Sequence, residues 1–78
     1  MTEKFTEKSL DLRGLKCPLP VLRTRKAVAG MASGDILVIA STDPLAGIDI
    51  PHLLAQTGDM LEETHSDAPV TTFRIRKA

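Results

Sequence analysis

Cysteine occurs once in this 78-residue chain, at position 17, within the run GLKCPLPVL from Gly14 to Leu22. An ionised thiol is a strong nucleophile, and its surroundings set how much of it is ionised. Pro18 follows directly, and Pro20 stands where a dithiol oxidoreductase of the Cys-x-x-Cys kind carries its second cysteine. That second thiol attacks a mixed disulfide and expels the partner, so a sulfur adduct on Cys17 meets no thiol of its own chain able to release it. Such an adduct persists until another protein's thiol arrives. This suits a carrier and defeats a dithiol reductase.

Proline is tolerated in the first turn of a helix because its missing N–H has no intrahelical partner there. Pro18 as the first helical residue makes Cys17 the N-cap, with its sulfur beside free N–H groups and the positive end of the helix dipole. The expected consequence is a lowered thiol pKa, with Lys16 and Arg13 adding to the field. Gly14, Pro18 and Pro20 shape the loop, the prolines by restricting its backbone. Leu19, between the prolines, points to the polar side with Arg23 and Lys26. An apolar side chain beside a thiol and framed by cations is a candidate contact for a protein partner, with Arg13 and Lys16 as further members of that surface. The plainer alternative is an inert cysteine that packs as a small hydrophobe.

The elements that must hold this loop can be read from periodicity. Residues 1–7 form a polar lead-in, and SLDL, Ser9 to Leu12, reads as a strand ending at Gly14. A helix is expected from Pro18 to about Met31, with Val21, Leu22, Val28 and Ala29 facing the sheet and Gly30 and Gly34 marking its end. Arg25 falls within that arc, its stem on apolar surface and its guanidinium reaching Asp11, Asp43 or water, with an electrostatic contact to a partner or to the sulfur region as the functional alternative. DILVIAST, Asp35 to Thr42, is the clearest strand, buried on both faces or central in a sheet. Asp43 is the expected cap of a second helix that Pro51 interrupts, leaving a main segment from Pro51 to Thr57 stopped by Gly58. MLEETHS and VTTFRIRK, divided by Asp67, Ala68 and Pro69, form a hairpin. The order β-α-β-α-β-β predicts an α+β fold, a two-layer α/β sandwich with a four-stranded mixed sheet and both helices on one face.

Other reactive residue types fit surface or structural roles. His52 and His65 have no spacing tied to Cys17, Glu62 and Glu63 are expected on opposite strand faces, and Arg74, Arg76 and Lys77 read as a solvated edge. Ten basic and ten acidic residues cancel, and two Phe without Trp or Tyr give no stacking platform, so nucleic-acid binding is not expected. One cysteine makes neither an intramolecular disulfide nor a thiolate zinc site. The opening MTEKFTEKSL lacks the apolar core of a secretion signal, and no run is long enough to span a membrane. The expectation is a single soluble cytoplasmic domain over residues 1–78, monomeric when free.

The segments LDLRGLKCPLPVLRTRKAV, SGDILVIASTDPLAGIDIP and FRIRK together resemble the TusA/SirA family of small sulfur carriers, whose hallmark is a Cys-Pro-x-Pro (CPxP) motif. The resemblance covers about residues 9 to 77. It implies the same β-α-β-α-β-β fold and a persulfide relay of sulfurtransferase type. Cys17 would take sulfur from a donor such as a cysteine desulfurase or rhodanese and pass it to an acceptor protein's cysteine, with no cofactor or metal. Asp59 after Gly58, and Thr42 before Asp43, depart from the family pattern as it usually reads. The pathway served, whether tRNA thiolation, molybdenum-cofactor supply or sulfur oxidation, is left open. A non-catalytic docking module using the Cys17 surface is the alternative function, and a redox sensor is disfavoured because the chain has no resolving cysteine.

Overall fold

Branched apolar residues concentrate in one short segment, and the sheet is built around it. The computed structural model describes residues 6–78. Its elements are β1 (Glu7–Leu12), α1 (Leu19–Ala29), β2 (Ile36–Ser41), α2 (Ala46–Thr57), β3 (Met60–Asp67) and β4 (Val70–Arg76). The strands lie in the order β1-β2-β4-β3. β1 and β2 are parallel, and β4 is antiparallel to both β2 and β3. This is the α+β, four-stranded mixed sheet expected. ILVIAS therefore occupies an interior strand, between β1 and β4.

Alternation along the strands decides which face is covered. Leu37 and Ile39 of β2 and Phe73 and Ile75 of β4 are buried in one cluster with Val28 of α1 and Ile50 and Leu54 of α2. Their alternates Val38, Ala40, Thr72 and Arg74 are only partly buried. Both helices thus cover one face, and the other carries charge: Arg74 pairs with Glu7 and Glu62, and Arg76 with Glu62. The pairing register shifts between Leu61 and Glu63, so Glu62 sits at a bulge rather than in strict alternation. The closing cations do not guard an edge, because β4 is interior and Arg74 and Arg76 engage these carboxylates.

Several boundaries move. Residues 1–5 of the expected lead-in lie outside the described residues, and Glu7 already belongs to β1, paired opposite Ile36. α1 begins one residue later than expected, at Leu19, and ends at Ala29, two before Met31. Its buried residues are Pro20, Thr24 and Val28, with Val21 and Ala27 half-buried, whereas Leu22 and Ala29 are exposed. The sheet-facing stripe is therefore rotated from the expected one. Pro51 does not interrupt α2: it withdraws one N–H, at a cost of about 3 kcal/mol. Burial of Ile50, Leu53 and Leu54 along that helix, at roughly 1.5–3 kcal/mol each, outweighs the loss. Gly58 ends α2 as expected, in the left-handed conformation with φ 84°, its N–H bonded to Leu54 O.

Two buried polar groups yield predictions. Thr24 is fully buried and its Oγ1 has no hydrogen-bond partner among the described residues. Thr24→Val removes that unpaired hydroxyl and should stabilise by about 1 kcal/mol, raising the melting temperature by about 4–8 °C for a domain of this size. Asp59 has a fully buried side chain that accepts the Ala78 N–H at 2.9 Å and lies 3.7 Å from Lys77 Nζ. Burial opposes its charge, but these contacts win and hold its carboxyl below the ordinary value. A depressed folded-state pKa stabilises above the unfolded carboxylate value, about 3.9, and that gain is lost as pH falls through the folded one. Asp59→Asn should therefore lower stability at pH 7 and shrink the drop in melting temperature seen on acidification below about pH 4.

Candidate functional site

The parallel pairing of β1 and β2 sends the loops after both strands out at the same edge of the sheet. Gly14 takes φ 85°, a conformation that strains any residue with a Cβ, and so turns the chain out of β1. Its N–H donates to Thr42 Oγ1 at 2.8 Å, which ties the Cys17 loop to the loop entering α2. In that second loop Asp43 N–H donates to Ser41 Oγ, and Asp43 Oδ1 accepts the Leu45 N–H at 3.2 Å. Asp43 is therefore not the helix cap expected: Leu45 holds the N-cap position of α2, which starts at Ala46, and Asp43 instead closes the turn that leads into it.

Cys17 is exposed, so it does not pack as a buried hydrophobe. It is not the N-cap. Pro18 holds that position, and the helix's first donors are few: Pro18 and Pro20 have no N–H, and the Leu19 N–H is spent on Lys16 O at 2.9 Å. The sulfur instead meets α2. Its Sγ donates to Asp49 Oδ2 at 3.5 Å, and Sγ and one oxygen each from Asp43 and Asp49 lie within 4.8 Å of one another. The hydrogen bond to Asp49 pushes the Cys17 thiol above its ordinary pKa, helped by desolvation and by the charges of Asp49 and Asp43. The lowered pKa expected from the helix amino end is therefore reversed by two carboxylates. One soft sulfur with two hard oxygens favours no single ion, and no metal centre is assigned to these residues.

The thiol sits where two grooves meet. One, of about 240 Å³, is lined by Cys17, Pro18, Val21, Arg25, Asp49, His52, Leu53 and Gln56. The other, of about 430 Å³, is lined by Gly14 to Cys17 and by Thr42 to Leu45. Gly14, Lys16 and Pro18 are thus at the site, whereas Pro20 is buried beneath it as part of the core-facing stripe of α1. Leu19 is 43% exposed, and Leu22, Leu45 and Ile48 are also exposed apolar residues. Arg23 and Lys26 are exposed on α1. Arg13 is engaged elsewhere: it forms a two-point pair with Asp11, which holds that carboxyl down at about 2, and it lines a separate groove with Ser9, Val38 and Ala40. Arg25 reaches neither Asp11 nor Asp43 but lines the Cys17 groove with His52. The residues that spacing alone missed are Asp49, His52 and Gln56. They recur at three and four residues along α2, a signal of one helical face, but nothing in the sequence says that this face meets Cys17.

Fold and site together define a two-layer α+β domain that presents one exposed, unpaired thiol between grooves at the end of its parallel strand pair. The family model described as sulfurtransferase TusA matches residues 8–77. The chain belongs to this family, the TusA/SirA family. It is 38% identical over 72 residues to a sulfur carrier protein TusA of Allochromatium vinosum, covering 92% of this chain and 95% of that one. It is 35% identical over 77 residues to a sulfur carrier protein TusA of Pseudomonas entomophila, covering 99% and 96%. A crystal structure of a SirA-like protein from Desulfitobacterium hafniense superposes with a TM-score of 0.78 over 88% of this chain and 95% of that one. At 23% identity that likeness concerns the fold. Among the described residues no helix is long and apolar enough to cross a membrane.

Proposed function

We propose that the protein is a sulfur carrier in which Cys17 alternates between thiol and persulfide, loaded by a donor protein and discharged by an acceptor protein in the cytoplasm. The observation that carries this reading is an exposed sulfur in a chain with no second thiol to discharge it. In loading, Cys17 attacks the outer sulfur of a donor persulfide. The donor's sulfur–sulfur bond breaks, the Cys17 sulfur–sulfur bond forms, and the proton of Cys17 passes to the donor's departing thiolate. The products are a Cys17 persulfide anion and a donor thiol, so charge and atoms balance without an oxidant. Discharge repeats the exchange with the acceptor cysteine as attacking group. Incubation with a cysteine desulfurase and free cysteine should add the mass of one sulfur, about 32 Da, removable by reductant. No adduct with any competent donor sinks the proposal.

Partner docking falls to the exposed apolar residues around the thiol and to their cationic rim. None of Lys16, Arg23 and Lys26 makes an ion pair among the described residues, so they suit a partner whose sulfur is ringed by acidic groups. Leu19→Glu or Arg23→Glu should slow transfer from the donor about tenfold at limiting partner, as loss of one good interface contact does. The melting temperature should hold, and unchanged transfer rates would remove this surface from the proposal.

A further inference from the structure

Asp49 belongs to neither the CPLP loop nor the sheet, yet its carboxylate is the hydrogen-bond partner of the only sulfur nucleophile. It projects from the first turns of α2 and lines the groove beside Cys17 together with His52 and Gln56. We propose that Asp49 is the positioning residue of Cys17: it holds the unloaded carrier in its thiol form and turns the loaded carrier's terminal sulfur outward. This rests on the sulfur-carrier reading for its biological sense, but its chemistry can be measured without any sulfur donor.

The groups facing the sulfur fix the sign. From α2 come Asp49 and His52, from the loop before α2 comes Asp43, from the thiol's own loop Lys16, and from α1 Arg25. Among the described residues only Asp49 makes a hydrogen bond to the sulfur, and Asp43 adds a second negative charge close by. An adjacent carboxylate favours the protonated thiol, because it accepts the S–H proton and repels the thiolate. Free carrier is thereby shielded from stray electrophiles and oxidants, whose attack requires thiolate. Once loaded, Cys17 Sγ has no proton to give Asp49, and the new outer sulfur carries the negative charge. The same carboxylate then repels it toward the open side, where an acceptor approaches. One fixed charge thus treats the two states of the carrier differently.

The test is the pH dependence of Cys17 alkylation by iodoacetamide, a small neutral reagent, on the full chain and on Asp49→Asn. Asparagine keeps the size and a carbonyl acceptor but removes the charge, so a purely structural Asp49 would leave the profile in place. The expected result is a midpoint moved to lower pH in the variant, with a several-fold faster reaction at pH 7. Asp49→Glu, which retains the charge, should keep the slow reaction at pH 7. An unchanged or raised midpoint in a folded Asp49→Asn protein overturns the assignment. If that variant does not fold, Asp49→Ser carries the same expectation and the same power to overturn. Because no donor is present, this assay can fail while sulfur loading succeeds, and the reverse, so the two proposals stand or fall separately.

Discussion

Cys17→Ser will take up no sulfur from a desulfurase or any other persulfide donor, and its mass will stay that of the unmodified chain after incubation. Serine's hydroxyl is close in size but does not ionise near neutral pH and does not accept sulfane sulfur, so loss should be complete rather than partial. The fold should hardly notice. Position 17 is exposed and precedes α1, and a surface substitution away from buried features changes stability by about 0.5 kcal/mol or less, or about 4 °C at most in a domain of this size. The variant also decides between function classes. A docking module would keep partner binding and cellular activity with serine or alanine at position 17, whereas a carrier loses activity and keeps binding. A Cys17→Ser protein that still gained one removable sulfur would place the chemistry elsewhere and end the carrier reading.

Phe73→Ala should remove much of the stability of the domain. Phe73 is fully buried on β4, opposite Ile39 of β2 and Thr64 of β3, at the centre of the cluster that joins both helices to the sheet. Truncating a buried Phe costs about 3–5 kcal/mol. A domain of this length has roughly 4–12 kcal/mol in total at 0.05–0.15 kcal/mol per residue. With a urea slope of about 1 kcal/mol/M, typical of small proteins, the unfolding midpoint should fall by about 3 M or more, or the variant should be unfolded in water. A loss under about 1 kcal/mol would mean that the ring is not enclosed as the structure has it.

Where local pattern and long-range packing agree, the fold was legible in the sequence. ILVIAS read as a strand buried on both faces or central in a sheet and proved interior, the alternation on either side of Ala68 and Pro69 read as a hairpin, and Gly58 marked the end of α2. Misreadings arose where a single-residue rule met a tertiary demand. Pro51 looked like an interruption because its lost hydrogen bond is visible in the sequence, while the burial of Ile50, Leu53 and Leu54 that compensates is not. Leu22 looked like a core residue because the wheel has no origin until Pro20 and Thr24 are seen to face the sheet. At the site, the grouping of Cys17, Lys16 and Gly14 was readable from one short run, because they lie in one loop. Asp49 was not, since it lies 32 residues from Cys17 and only the side-by-side placement of two loops brings it to the sulfur. The sign of the thiol's pKa turned on that same unseen contact. Arg13 was assigned to the thiol's field by proximity in sequence, but the two-point pair with Asp11 claims it.

The meeting of both grooves at a single exposed sulfur has a kinetic corollary. In the proposed relay, giver and receiver must reach the same atom, and a body docked over it leaves no berth for another. On that reading traffic would run in turns, each visitor departing before the next arrives.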